Sequence, residues 1–181
     1  MYSEDNLTIK TWPLQQVDGW QSFQDDTKHI RPKSYLFEAG KFAHKVYAQL
    51  DAFNSDHRYV VWLDADVVIK SDLTEDFLKS LLDGGFCAYL GRQLTYTETG
   101  FLIFDVLHED FPEFHKRYRD FYDNRHLFLL PYWIDCLAFD AARYELNATN
   151  LTPDAAGMMD VFSRSPLKDV MKHNKGNRKY E

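Results

Sequence analysis

The stretch that most constrains this chain is residues 59–70, Tyr-Val-Val-Trp-Leu-Asp-Ala-Asp-Val-Val-Ile-Lys. A run this apolar and β-branched reads as a strand covered on both faces. It breaks off at Asp64 and resumes after Asp66. Two carboxylates one residue apart beside a core strand are costly unless positive charge is held next to them. A divalent cation meets that need most simply. The same pair can also shape a turn or cap the helix that follows.

The rest of the chain limits the alternatives. With 181 residues, 45% of them apolar, the sequence suits one globular domain with a core of its own. Aromatic residues make up 16%, which fits a thick core and equally a cleft that stacks on rings. The net charge of −7 argues against general binding to nucleic acid. Charge is uneven, however. The tail carries Lys168, Lys172, Lys175, Arg178 and Lys179 against Asp169 and Glu181, as a local anion site or a frayed solvated end would. Cys87 and Cys136 lie in no zinc-like spacing, and their apolar neighbours predict buried free thiols. No apolar run reaches membrane-spanning length, and the polar opening Met-Tyr-Ser-Glu-Asp-Asn is unlike a signal peptide. These features predict a cytoplasmic protein without a membrane span, and the sequons at Asn6, Asn147 and Asn150 are then chance.

Along the chain, 7–14 reads as a short strand ending at Pro13, and 15–34 as loop. Phe42, Val46, Leu50 and Phe53 form one helical face, followed by a buried strand over 58–63. Asp72-Leu-Thr-Glu75 has capping-box spacing for a helix that Gly84-Gly85 ends. Strands are expected over 86–90 and 100–106, helices over 109–122 and 131–144, and a short helix near 158–162. Strands that alternate with helices and run continuously apolar predict an α/β fold with a mostly parallel sheet flanked by helices. In such sheets ligands sit at the carboxyl ends of strands, where Asp64 and Asp66 fall.

Hard divalent cations prefer carboxylate oxygens and often share them with substrate phosphates. The tail offers His173-Asn-Lys-Gly176-Asn-Arg-Lys179, a His-x-x-Gly-x-x-Lys pattern. An imidazole can complete a Mn²⁺ shell, a glycine lets backbone approach a phosphate, and a lysine can meet a diphosphate oxygen. Together with the acidic strand they make a coherent metal–diphosphate clamp. A rival use of an apolar strand with Asp-x-Asp is the haloacid-dehalogenase-like phosphatase, where the first Asp is a nucleophile. That class places the motif near the amino end and adds a later acidic cluster, and neither feature is evident here.

These elements resemble the GT-A glycosyltransferases, most closely the glycogenin and lipopolysaccharide-galactosyltransferase type, glycosyltransferase family eight. The resemblance rests on Trp62-Leu63-Asp64-Ala65-Asp66, on Glu98-Thr99-Gly100-Phe101-Leu102-Ile103-Phe104-Asp105, on Trp133-Ile134-Asp135 and on His173 to Lys179, in that order. It implies a single GT-A domain over 1–181. It further implies Mn²⁺ (or Mg²⁺) on Asp64, Asp66 and His173, with a UDP-sugar donor held by Ala65, Thr99, Gly100, Gly176, Lys179 and Lys45. Lys45 is slightly offset from the family's basic residue and also suits a solvated helix face. Asp135 and Glu98 are the candidate catalytic residues, although Glu98 is equally a loop carboxylate.

Two departures accompany the likeness. Trp133 and Ile134 replace the Asp-Gln of the family's Asp-Gln-Asp motif, so Trp133 could instead stack on an acceptor ring. The sheet is also short at its amino end, which leaves the nucleoside pocket in question. The expected activity is transfer of a sugar from a nucleoside diphosphate to a hydroxyl of a glycan, protein or lipid, with retention of configuration. The alternative is a degenerate GT-A relic that serves as a binding module.

Overall fold

The computed structural model describes residues 13–174. Strands β1 (Tyr59–Leu63), β3 (Cys87–Leu90), β4 (Glu98–Asp105) and β5 (Ala148–Asn150) form a mixed sheet in the order β1-β4-β3-β5. A two-stranded ribbon pairs β2 (Val67–Ile69) with β6 (Met171–His173). Helices α1 (Trp20–Thr27), α2 (Ala39–Ala52), α4 (Phe111–Asp123) and α5 (Asp135–Ala142) lie on one side, and α3 (Glu75–Leu82) on the other. The architecture is therefore α/β.

Strand β4 organises the core. All eight of its residues are buried, and alternate side chains feed opposite faces. Leu102 and Phe104 enter an aromatic cluster with Phe23, Tyr47, Phe114, Tyr118, Tyr122 and Phe139. Phe101 and Ile103 enter a smaller cluster with Leu81, Leu82, Phe162 and Met171.

Strand direction departs from the expectation. β4 is antiparallel to both β1 and β3, and only β3 and β5 run parallel. A continuous apolar run reports cover on both faces and says nothing of direction. Here β3 and β4 are joined by a short loop with no crossover helix, which forces them antiparallel. β1 is half-buried, at the edge of the sheet among the described residues.

Other elements shift as well. The segment expected to be loop contains α1, whose Trp20, Phe23 and Thr27 face the core at steps of three and four. α3 is capped by the Thr74 hydroxyl, which accepts from Phe77 N at 3.2 Å, in place of Asp72. The helix expected over 131–144 shortens to α5, because Trp133 N is committed to Leu36 O at 2.8 Å. Near 158–162 there is only a 3₁₀ turn at Phe162–Arg164. The strand expected over 7–14 lies mostly outside the described residues, and Leu14 opens a 3₁₀ turn. Among the described residues no helix is long and apolar enough to cross a membrane.

Candidate metal centre

Antiparallel pairing brings the exit of β1 against the entry of β4. Leu63 faces Phe101, and Asp64 N donates to Gly100 O at 3.0 Å. A tight turn follows, closed by Val67 N to Asp64 O at 2.9 Å, with Ala65 exposed at its tip. The chain then enters the ribbon, where Val67 pairs with His173. Asn174 N also donates to Asp66 O at 2.9 Å. Backbone pairing thus delivers the imidazole to the acidic turn, and His173 Nε2 lies 2.9 Å from Asp66 Oδ1. One ligand atom from each of Asp64, Asp66 and His173 falls within 4.8 Å of the others.

This donor set suits a hard or borderline divalent ion. Adjacent ligands of an octahedral site with bonds of about 2.1 Å are roughly 3 Å apart, and opposite ones roughly 4 Å. The ligand atoms present, all within 4.8 Å of one another, approach that spacing. Asp64 Oδ1 accepts from Trp62 Nε1 at 2.8 Å and is paired with Lys45 Nζ at 2.8 Å, leaving Oδ2 for a ligand. His173 is held from behind by the Phe162 ring, 4.9 Å between centroids. Gly100 makes the close approach possible. A Cβ there would sit 2.9 Å from His173 Cε1 and 3.2 Å from its Nδ1. The glycine therefore serves the imidazole directly, where the expectation had it facing the donor.

Lys45 stands at the centre of the site. Its ammonium reaches Asp64 at 2.8 Å, Asp135 Oδ2 at 3.1 Å, Thr99 O at 2.7 Å and Thr99 Oγ1 at 3.0 Å, with the side chain only 15% exposed. Burial alone would lower its pKa, but the carboxylates of Asp135 and Asp64 outweigh burial and raise it. Lys45 is thus a fixed positive charge that holds two acids in place. Asp135, the first residue of α5, is buried and also accepts from Thr99 Oγ1 at 2.6 Å. Cys136 lies beside them, its sulfur 3.3 Å from Thr99 Oγ1. Burial, reinforced by Asp135, keeps its thiol protonated well above the ordinary range. Its surroundings are therefore polar, contrary to the sequence expectation. Cys87 is the buried free thiol expected.

Glu98 begins β4 beside this centre. Its Oε1 accepts from Gly100 N at 3.2 Å and its Oε2 from Arg92 Nη2 at 2.7 Å. Trp133 packs edge-on against Phe37 and Phe128, 5.2 and 4.8 Å between centroids, and so belongs to the core wall. Gly176 and Lys179 lie outside the described residues.

The centre opens into a cleft of about 580 Å³. Lys45, Asp64, Asp66, Glu98, Thr99, Asp135 and His173 all line it, and the aromatic residues of its wall are Tyr35, Phe42 and Tyr96. Four carboxylates face it against the two ammonium groups of Lys41 and Lys45, an imbalance that a divalent cation would correct. Sequence reasoning did not single out Lys41, Arg92 or the aromatic residues. The i,i+4 spacing of Lys41 and Lys45, and the charge of Arg92 directly after an apolar strand, were the available signals. The sequence matches no protein-family model and no curated protein.

Proposed function

We propose that the chain is a divalent-cation-dependent glycosyltransferase that moves a sugar from a nucleoside diphosphate, a uridine one by resemblance, to an acceptor hydroxyl. The observation that carries this reading is the convergence of Asp64, Asp66 and His173 within 4.8 Å at an open cleft. Mn²⁺ or Mg²⁺ held there supplies charge neutralisation for a departing diphosphate. The cleft volume falls in the range of small-molecule sites.

The chain's own residues do the rest. Trp62 and Lys45 fix the orientation of Asp64, and Gly100 and Phe162 fix that of His173. Lys45 and Thr99 hold Asp135 facing the cleft, where it can orient an incoming hydroxyl. Tyr35, Phe42 and Tyr96 supply faces on which a sugar ring can lie. Completion of the acidic pair by an imidazole favours sugar transfer over phosphate-ester hydrolysis. Retention of configuration follows from the resemblance.

Calorimetric titration of UDP with and without Mn²⁺ tests the proposal. Binding is expected to require the metal and to weaken at least about tenfold in Asp66→Ala and in His173→Ala. UDP binding indifferent to Mn²⁺ would leave only a nucleotide-binding relic. Hydrolysis of a generic phosphate ester without UDP binding would place the chain with the phosphatases.

A further inference from the structure

The two edges of the four-stranded sheet are built differently. At one edge β5 is only three residues long and includes Thr149 and Asn150, so it offers little for a further strand to pair with. At the other edge lies β1, five residues without charge, proline or bulge, in unbroken register with β4 from Tyr59↔Asp105 to Leu63↔Phe101. Native edges that stay unpaired are guarded by short length, charge, proline or a bulge, and β1 carries none of these.

The direction of its free groups follows from the ladder. Asp64 N donates to Gly100 O, and Val106 N to Arg58 O, so the even-numbered residues from Arg58 to Asp64 exchange hydrogen bonds with β4. The N–H and C=O of Tyr59, Val61 and Leu63 then point out of the sheet edge. Among the described residues no strand meets them. Their side chains pack on the smaller core cluster, and Val60 and Trp62 on the aromatic one, so both faces at this edge are apolar and half-buried.

We infer that this edge pairs with β1 of a second copy of the chain, antiparallel about a twofold axis through Val61. Register and charge both choose that occupant. Only outward-facing residues can exchange hydrogen bonds, and centring on Val61 matches them all, Val61 with itself and Tyr59 with Leu63. Cross-strand neighbours on both faces are then apolar, with Val60 opposite Trp62. The apolar run is flanked by Arg58 at one end and Asp64 at the other. This register sets each opposite the other on one face, where opposite charges attract. A shifted register loses that match and part of the bonding. The second copy thus brings an arginine beside the acidic turn of the candidate metal centre. None of this depends on the glycosyltransferase reading.

Sedimentation equilibrium of the full chain, with amide exchange followed at rising protein concentration, is the test. A monomer–dimer equilibrium is expected, with the amides of Tyr59, Val61 and Leu63 slowing as the dimer forms. Val61→Pro removes an outward N–H and no bond to β4, and is expected to raise the dimer Kd at least about tenfold. Val61→Cys is expected to give a disulfide-linked dimer under a mild oxidant, because the axis sets the two Cα atoms about 5.5 Å apart, whereas Leu63→Cys stays unlinked. A monomer at every concentration overturns the inference. If the same three amides are protected in that monomer, another segment of the chain itself covers the edge, and the inference falls equally. A dimer that Val61→Pro leaves intact and Val61→Cys does not link uses a different surface, which also overturns it. Should Val61→Pro fail to fold, exchange and cross-linking decide alone.

Discussion

The two ends of β4 carry the same chemistry in opposite settings. At the Asp105 end, Arg58 grips the carboxylate through two hydrogen bonds of 2.9 and 2.8 Å, with the Arg58 side chain 54% exposed. Asp105 Oδ1 also accepts from Leu107 N at 3.1 Å, so this pair closes the turn that leaves the strand. At the Glu98 end the partner is Arg92, both side chains are buried, and the Asp64–Asp66–His173 cluster lies alongside. Water screens the Arg58 guanidinium of the first pair, although Asp105 itself is buried, so that pair is worth less than one buried on both sides. The buried pair is shielded far less by solvent, so removing one partner takes a strong interaction from the other. Arginine–carboxylate pairing therefore closes a turn at one end of the strand and lines a cleft at the other.

The largest expected effect is at the buried end. Arg92→Ala should lower stability by about 3–5 kcal/mol in denaturant titration, because Glu98 loses the guanidinium it pairs with in a buried setting. Arg92→Leu combined with Glu98→Leu should recover most of that loss. A double variant as unstable as the single one would mean that the pair is there for the fold, and the contrast would collapse. Next in size is Gly100→Ala, which should cost about 1–3 kcal/mol through overpacking. It should also weaken Mn²⁺ affinity by displacing His173, as isothermal titration with the metal alone can show. Undiminished metal affinity would detach the glycine from the imidazole.

The smallest effect belongs to the exposed end. The hydrogen bond from Arg58 is the leading cause that holds the Asp105 carboxyl below the usual carboxylate range, with burial acting against it. The folded-state pKa therefore lies below the unfolded one. The ionised group stabilises the fold fully above about pH 4, and this is lost as pH falls through the depressed value. Thermal unfolding of the protein and of Asp105→Asn should differ at pH 7 and converge on acidification. A difference that persists at pH 2 would show that Asp105 acts by packing alone.

The sequence made the candidate metal ligands legible and left their surroundings hidden. Asp64 and Asp66 are conspicuous because charge interrupts a strand. His173 follows from a local pattern in the tail, while the antiparallel ribbon that brings it to Asp66 is a tertiary fact. Lys45 looks like any lysine on the polar face of an amphipathic helix, and only the fold aims it at four oxygens. Arg92 is obscured likewise, since its partner lies across a loop whose course the residues between them do not specify. Strand direction was misread because burial on both faces and parallel pairing leave the same apolar run. Helix α1 was missed because three core contacts amid polar residues make a weak periodic signal.

The pairing of β2 with β6 has a consequence for how the molecule responds to a chelator. Asp66 and His173 are 107 positions apart in the chain, so an ion held by both would fasten a very long loop. Closing a long loop restricts the unfolded chain more than closing a short one. Stripping the ion should therefore loosen the carboxyl-terminal strand before the rest of the molecule. Amide exchange at Met171–His173 would then accelerate while β4 keeps its protection, making the end of the polypeptide a gauge of metal supply.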